Sequence, residues 1–477
     1  MRTARLVLPP RPVLCLGMAL LLLAGCGRIV DGRGPDPAAD DLAVLIDGFV
    51  DSPDTLAGEE IATAMGATGD QRWVPWLVDL MRLGRSTALD RRSAAALEQL
   101  TGVEATDRRV ADLVAFGGWM YDRAVDPGPG YDAWKIALYE RIEPGYRHLL
   151  GQVEDPIVLS RIQFGGVVRG GIPELDRPER LTIGEAGHMR LEEIVYGTEM
   201  GGTEVAYPLR ILGHHELVND VVDGTPVAMA LCTLCRTAVL FDRRVGDREL
   251  YFETSGLLLN SNKVMVDRQT DTLWNQITGE ALAGPLHGTV LTKLPSVASR
   301  WKDWVDTYPS SLTLALPRPV VFADPERPPI SYDYEPGVAQ SSYYESDDVW
   351  FPIFDTPDVF ALKSEVVTVE LRGAFLAVGL EALAQHGPVV LEVGGHPVLV
   401  VPGAGGARVY DAGEAVAARS LPVGEAVGLP EQGTTPHAVT LAGGLVLPRI
   451  ASGQSFWFAW YGQHPDTTWW PQDGDAA

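Results

Sequence analysis

The sequence predicts an α+β protein: an N-terminal α-helical domain followed by two tandem copies of a β-rich domain. Three observations carry this. Between Asp41 and about Gln152, apolar residues recur at three- and four-residue spacing, the mark of helices with one buried face. From Gly165 the texture shifts to Gly, Val and Thr with short apolar runs, as in strands joined by turns. Thirdly, the second half repeats the first in register. Glu199, Gly202, Ala206, Leu209, Leu212, Val218, Gly224, Pro226 and Val227 match Glu370, Gly373, Ala377, Leu380, Leu383, Val389, Gly395, Pro397 and Val398, each displaced by 171 residues. Trp301-x-x-Trp304 with Pro309 matches Trp457-x-x-Trp460 with Pro465 at a displacement of 156. A register held over nine positions indicates a duplicated unit.

These signals divide the chain into a signal segment (1–25), a tether (26–40), a helical domain (41–152), β-rich copy 1 (153–316), a linker (317–344) and a degenerate copy 2 (345–472). A chain of 477 residues, 46% hydrophobic, has material for several cores. The net charge of −25 excludes nucleic acid as a partner and a polybasic hold on anionic lipid.

Arg2, Arg5 and Arg11 precede the apolar run Val13 to Leu23, which is too short for a membrane span and suits a signal peptide. Leu23-Ala24-Gly25-Cys26 resembles a bacterial lipobox. The resemblance implies that Cys26 becomes a lipidated N-terminus, anchoring the protein to the extracytoplasmic face of the cell membrane. The alternative is an ordinary signal peptide cut elsewhere. Gly27 to Asp40, rich in Gly, Pro and Asp, reads as a flexible tether.

In the helical domain, Thr68-Gly69-Asp70 stops one helix and caps the next, and Val74, Leu77, Val78 and Met81 form one face. Ala94, Ala95, Leu97 and Leu100 form another. The pattern resembles a single HEAT-type repeat, which implies a face that packs on the next domain or takes a protein partner. Trp73, Trp76 and Trp134 read as core residues or interdomain wedges. In copy 1, Glu193 to Thr198 and Glu204 to Tyr207 flank Gly201-Gly202 as a hairpin. Pro208 to Leu212 reads as a helical turn. Pro226 to Leu231, Ala238 to Asp242, Glu249 to Thr254 and Lys263 to Asp267 read as strands, and Trp301 to Tyr308 as a helix closed by Pro309. The linker is rich in Pro, Asp, Glu and Tyr.

Chemistry concentrates at Cys232-Thr233-Leu234-Cys235. With Cys15 lost with the signal and Cys26 lipidated, these are the two remaining thiols. That is too few for a disulfide scaffold, so the pair needs a local explanation. Three readings stand. Two thiolates with His215 can hold a soft ion, zinc or copper, with His214, His287 or Asp220 as further ligands. The pair can cycle between dithiol and disulfide, Arg236 lowering one thiol. Or the pair is static, as a disulfide or two buried thiols, and the protein is a non-catalytic scaffold or interaction lipoprotein. The cysteines sit between two predicted strands, which suits a knuckle better than a thioredoxin-like helix start. Glu216 is a candidate base or orienting acceptor for a histidine. Asn260, Asn262, Asp267 and Arg268 are candidates for substrate hydrogen bonds or loop caps. At a displacement of 171, Cys232 falls on Gly403, Cys235 on Gly406, His215 on His386 and Glu216 on Gly387. The reactive groups therefore occur once, in copy 1.

The run Ala206-Tyr207-Pro208-Leu209-Arg210-Ile211-Leu212, then His215-Glu216-x-Val218-Asn219-Asp220, then Cys-x-x-Cys, resembles the family called domain of unknown function 3179. Phe241-Asp242-Arg243, Ser255-Gly256-Leu257, Asp267-Arg268-Gln269-Thr270 and Leu273-Trp274 add to the likeness. The family pattern Cys-Pro-Leu-Cys-Gly is Cys232-Thr233-Leu234-Cys235-Arg236 here. The resemblance implies an exported protein and no particular reaction.

Overall fold

The computed structural model describes residues 56–84, 86–320, 329–339, 341–417, 438–441 and 444–472. The expected signal segment, Cys26 and tether lie outside the described residues. The chain is mixed α and β, with the helices first.

Helices Leu56–Ala67, Trp73–Leu83, Thr87–Thr101, Arg109–Asp122 and Tyr131–Glu140 are followed by the short helices Tyr146–Leu150 and Pro156–Arg161. Local chemistry sets their ends. The Ser86 hydroxyl accepts from Leu89 N–H, and Gly102 closes the same helix in the left-handed conformation. Trp73, Trp76 and Trp134 are buried, with the Trp76 and Trp134 ring centroids 4.8 Å apart. They are core residues. Lys135 and Asp79 are both buried and paired at 3.1 Å. Lys135 Nζ also donates to Ile162 O at 2.6 Å, pinning the helices to the first strand. The helical core continues into Leu257, Val264 and Leu273 of the sheet beyond. No helix among the described residues is long and apolar enough to cross a membrane.

Among the described residues, five small sheets arranged as a propeller follow, with a two-stranded ribbon Arg244–Val245/Arg248–Glu249 and short helices between strands. In spatial order, the first is Val297–Arg300, Ile194–Met200, Thr203–Pro208, Leu312–Leu314, Arg180–Thr182. The second is Lys293–Leu294, Thr237–Asp242, Thr225–Cys232, Leu217–Val222, Leu175–Asp176. The third is Ile162–Phe164, Phe252–Leu259, Asn262–Asp267, Leu273–Asn275, Ala281–Ala283. The fourth is Gly453–Phe456, Glu365–Leu371, Ala374–Gly379, Thr468–Trp470, and the fifth Val389–Val393, His396–Gly403, Gly406–Asp411, Val446–Ile450, Ala438–Thr440.

The expectation of two tandem β-rich copies is corrected by this arrangement. The corresponding elements do share bounds: Ile194–Met200 and Glu365–Leu371, Thr203–Pro208 and Ala374–Gly379, helix Leu209–His215 and helix Leu380–His386. The halves nevertheless clasp each other and do not close separately. Phe456 N–H donates to Cys235 O at 2.8 Å, and Arg300 N–H donates to Ala404 O at 2.9 Å. Strand Gly453–Phe456 of the second half and strand Val297–Arg300 of the first, each paired in its own half's sheet, thus also reach a hairpin turn of the other half. A backbone bond lost there would leave polar groups unpaired within the interface, which accounts for one propeller in place of two domains.

The ladder also corrects the expected match of Cys235 to Gly406. Cys232 pairs with Thr237, and Gly403 pairs with Gly406. The turn holding the cysteines has four residues where the second half has Ala404-Gly405. Cys235 occupies an insertion.

Candidate functional site

The cysteines form a hairpin knuckle. Strand Thr225–Cys232 ends at the first, Cys235 N–H donates to Cys232 O at 3.2 Å, and Arg236 turns the chain back at φ +49°. Both thiols are free and buried, with Sγ atoms 2.8 Å apart. Cys235 Sγ lies 3.3 Å from Ser261 O and 3.4 Å from the Asn262 side-chain amide. Burial pushes the Cys235 thiol well up, and the adjacent Cys232 sulfur pushes it further. Burial also raises Cys232, but the hydrogen bond from Cys235 and the backbone N–H groups of Lys263 and Cys235 outweigh it, so its pKa falls below the usual thiol value. Of the two, Cys232 ionises more readily and Cys235 less so.

Glu216 ends helix Leu209–His215 at φ +58°, a conformation costly for a residue with a Cβ. That turn sends its carboxylate toward the knuckle. One oxygen accepts from the Thr233 hydroxyl at 2.7 Å, and the other pairs with the Lys263 ammonium. The Lys263 and Glu216 side chains are only 4% and 10% exposed.

Cys232, Glu216 and Lys263 together line a cleft of about 440 Å³. Its walls come from three places. Arg82 and Val110 belong to the helices. Thr254, Gly256, Leu257 and Leu258 belong to strand Phe252–Leu259, faced by Gly165, Val167 and Ile172. Trp350 and Phe351 cross from the second half. This last segment lies close on helix Arg109–Asp122 because Gly117 has no side chain. A Cβ there would stand 2.3 Å from Pro352 Cγ.

The histidines do other work. His215 is fully buried; its Nδ1–H donates to Pro173 O at 2.7 Å and its Nε2 accepts from the Tyr334 hydroxyl at 2.6 Å. Burial pulls its pKa down to about 4. His214 bonds Asp333 O at 2.9 Å and stacks on Tyr332. The pair clamps the linker segment, and neither brings a free nitrogen to the sulfurs. His287 is exposed in its turn. Asp220 holds Arg180 and Tyr207. Among the described residues no group of three His, Cys, Asp or Glu side chains is placed to hold a metal ion. Arg236 pairs with Glu365 at 3.2 Å.

Of the candidate substrate residues, Asp267 and Arg268 have structural partners, whereas the buried Asn260 Oδ1 has none among the described residues. Asn260 and Ser261, both at positive φ, form a two-residue hairpin turn. Asp267 accepts from Gln269 and Thr270 N–H and from Trp274 Nε1. Arg268 pairs with Glu174, Asp176 and Glu253. Sequence reasoning missed Lys263, Thr254, Arg82 and the Trp350-Phe351 wall. Only Lys263 left a signal: a lysine inside the apolar strand Asn262–Asp267 needs a buried partner.

Fold and site thus define a helix-fronted propeller with one dithiol knuckle on the floor of a cleft. The chain belongs to the family described as "Protein of unknown function (DUF3179)", which matches residues 169–467. No curated protein and no solved structure matches it.

Proposed function

We propose that this is a lipid-anchored extracytoplasmic thiol–disulfide protein whose Cys232/Cys235 pair exchanges electrons with a partner disulfide. The observation that carries the reading is the pair of free thiols on one turn, their Sγ atoms 2.8 Å apart and Cys232 lining the cleft; the same contact lowers Cys232 and raises Cys235. The Cys232 thiolate attacks one sulfur of the partner disulfide. A mixed disulfide forms, and the partner's other sulfur leaves and takes a proton. Cys235 then gives up its proton and attacks Cys232 Sγ. The Cys232–Cys235 disulfide forms and the second partner thiol is released. Two electrons pass to the partner. The lipobox-like Leu23-Ala24-Gly25-Cys26 supports the address, and the repeat at 171 residues supports an ancestral duplication in which one half acquired the thiols.

The test is differential alkylation of the full-length protein in detergent across glutathione redox buffers, read by mass spectrometry. Cys232 and Cys235 should oxidise together, and a Cys235→Ser variant should trap a mixed disulfide on Cys232. Thiols that stay alkylatable throughout would refute the reading. The knuckle, with its Sγ atoms 2.8 Å apart, favours a second reading: zinc or copper held by both thiolates. Stoichiometric metal, lost on Cys232→Ser/Cys235→Ser, would establish that one instead. Release from membranes on Cys26→Ser tests the anchor. The helical face takes a protein partner in this reading, tested by crosslinking from position Val110, which is 46% exposed.

A further inference from the structure

We propose that the cleft above Cys232 binds a small amphipathic carboxylate: an apolar body with one anionic head. The site goes beyond electron exchange and does not require it. Most of the lining is apolar, and Val110 and Trp350 are exposed large hydrophobics at its edge. A few polar groups converge inside such a wall in ordinary ligand pockets.

Two of those groups lack the partner their chemistry calls for. Arg82 is the first. Its Nη2 donates to Phe164 O at 3.0 Å and its guanidinium lies over the Phe351 ring at 4.1 Å. No carboxylate pairs with it among the described residues. Burial disfavours its charge, and neighbouring Arg109 adds to that. Arg109 itself is paired with Asp90, so Arg82 is left as the cation with unmet demand. Thr254 is the second. It is 4% exposed, and its hydroxyl finds no hydrogen-bond partner. A buried hydroxyl without a partner is costly, and this one lines the same cleft as Arg82. Lys263 offers no competing charge, because Glu216 neutralises it. The cleft is therefore apolar with one uncompensated cation and one spare hydroxyl. A carboxylate head meets the cation, and its apolar body fills the rest of the wall.

Arg82 and Val110 precede residue 169, where the family match begins. The head-group preference is thus written in the helices of this chain and not in the matched region.

Decanoate is the probe, with decanol and decyltrimethylammonium as head-group controls, titrated calorimetrically into the full-length protein in detergent below micellar probe concentrations. Decanoate should bind at least roughly tenfold more tightly than decanol, as a charge-assisted hydrogen bond allows. Arg82→Gln should bring decanoate down to the level of decanol and leave decanol unchanged. Arg82→Lys, which keeps the charge, should retain the preference and serves as the folding control. Equal binding of decanoate and decanol overturns the proposal, as does Arg82→Gln without effect, preferred binding of the ammonium probe, or no binding. Cys235→Ser, which removes the disulfide partner and lies outside the cleft lining, should bind decanoate normally, so failure of the redox reading and failure of the cleft proposal are read separately.

Discussion

The Glu216–Lys263 pair admits a quantitative test. Both side chains are nine-tenths or more buried and in contact, with Thr233 completing the carboxylate. Removing one member strands a buried charge, which costs about 3–5 kcal/mol. Glu216→Gln and Lys263→Met should each lower stability by that amount. The double variant, which strands neither charge, should be no worse than either single. The coupling in the double-mutant cycle should then be at least about 3 kcal/mol, at or above the top of the range for contacting residues. Urea denaturation of the detergent-solubilised chain, followed by intrinsic tryptophan fluorescence, measures all three. Glu216→Gly adds a control. It relieves a positive φ worth about 1–2 kcal/mol but strands Lys263, and should still be a net loss. Single variants within about 0.5 kcal/mol of the parent, or strict additivity, would refute the claim that the pair is buried and mutually dependent.

Removing the Cys235 donor by Cys235→Ala should raise the Cys232 pKa and slow its iodoacetamide alkylation near neutral pH; the pH profile of the rate checks this. His215 stays neutral in the fold down to about 4, whereas an unfolded histidine protonates near its ordinary 6.5. Between these values the unfolded chain binds the extra proton, so stability should fall as pH drops from 6.5 to 4, by roughly 3 kcal/mol for this group. His464, also held near 4, acts in the same window, so His215→Gln should flatten only part of the slope. Gly117→Ala should push Pro352 off the helix at a cost of about 1–3 kcal/mol and change the emission of neighbouring Trp350. Lys135→Met, which strands Asp79, should cost about 3–5 kcal/mol and expose the helix–sheet junction to limited proteolysis.

What could be read from the chain was what depends on local pattern. The hairpin flanking Gly201-Gly202 announced itself through alternation and a turn, and strands Ile194–Met200 and Thr203–Pro208 follow. Asp267 and the Asn260-Ser261 turn were legible as loop chemistry because Asx residues satisfy nearby backbone. The clasp between halves was not legible. It rests on Phe456 reaching Cys235 and Arg300 reaching Ala404, contacts far apart in sequence and made by backbone, which carries no residue signature. The cleft was hidden for the same reason: Arg82, Thr254, Cys232 and Phe351 come from four separate stretches. His215 drew attention by its type, yet its ring is spent on Pro173 and Tyr334, and nothing in its immediate sequence marks that.

The two equivalent corners of the propeller show why the chemistry sits where it does. Helix Leu209–His215 and helix Leu380–His386 both end in a histidine, and the next residue takes positive φ in each: Gly387 at +90° and Glu216 at +58°. Glycine adopts that conformation without penalty; glutamate does not. A structural corner would keep glycine, as the second half does. The first half keeps a strained glutamate whose side chain reaches Lys263 and Thr233 beside the inserted Cys235 turn. Strain, a buried ion pair and an insertion thus coincide at one corner and are missing from its twin. Under the proposed thiol–disulfide reading, that strained corner is what sets Glu216, Lys263 and Thr233 beside the Cys232 turn.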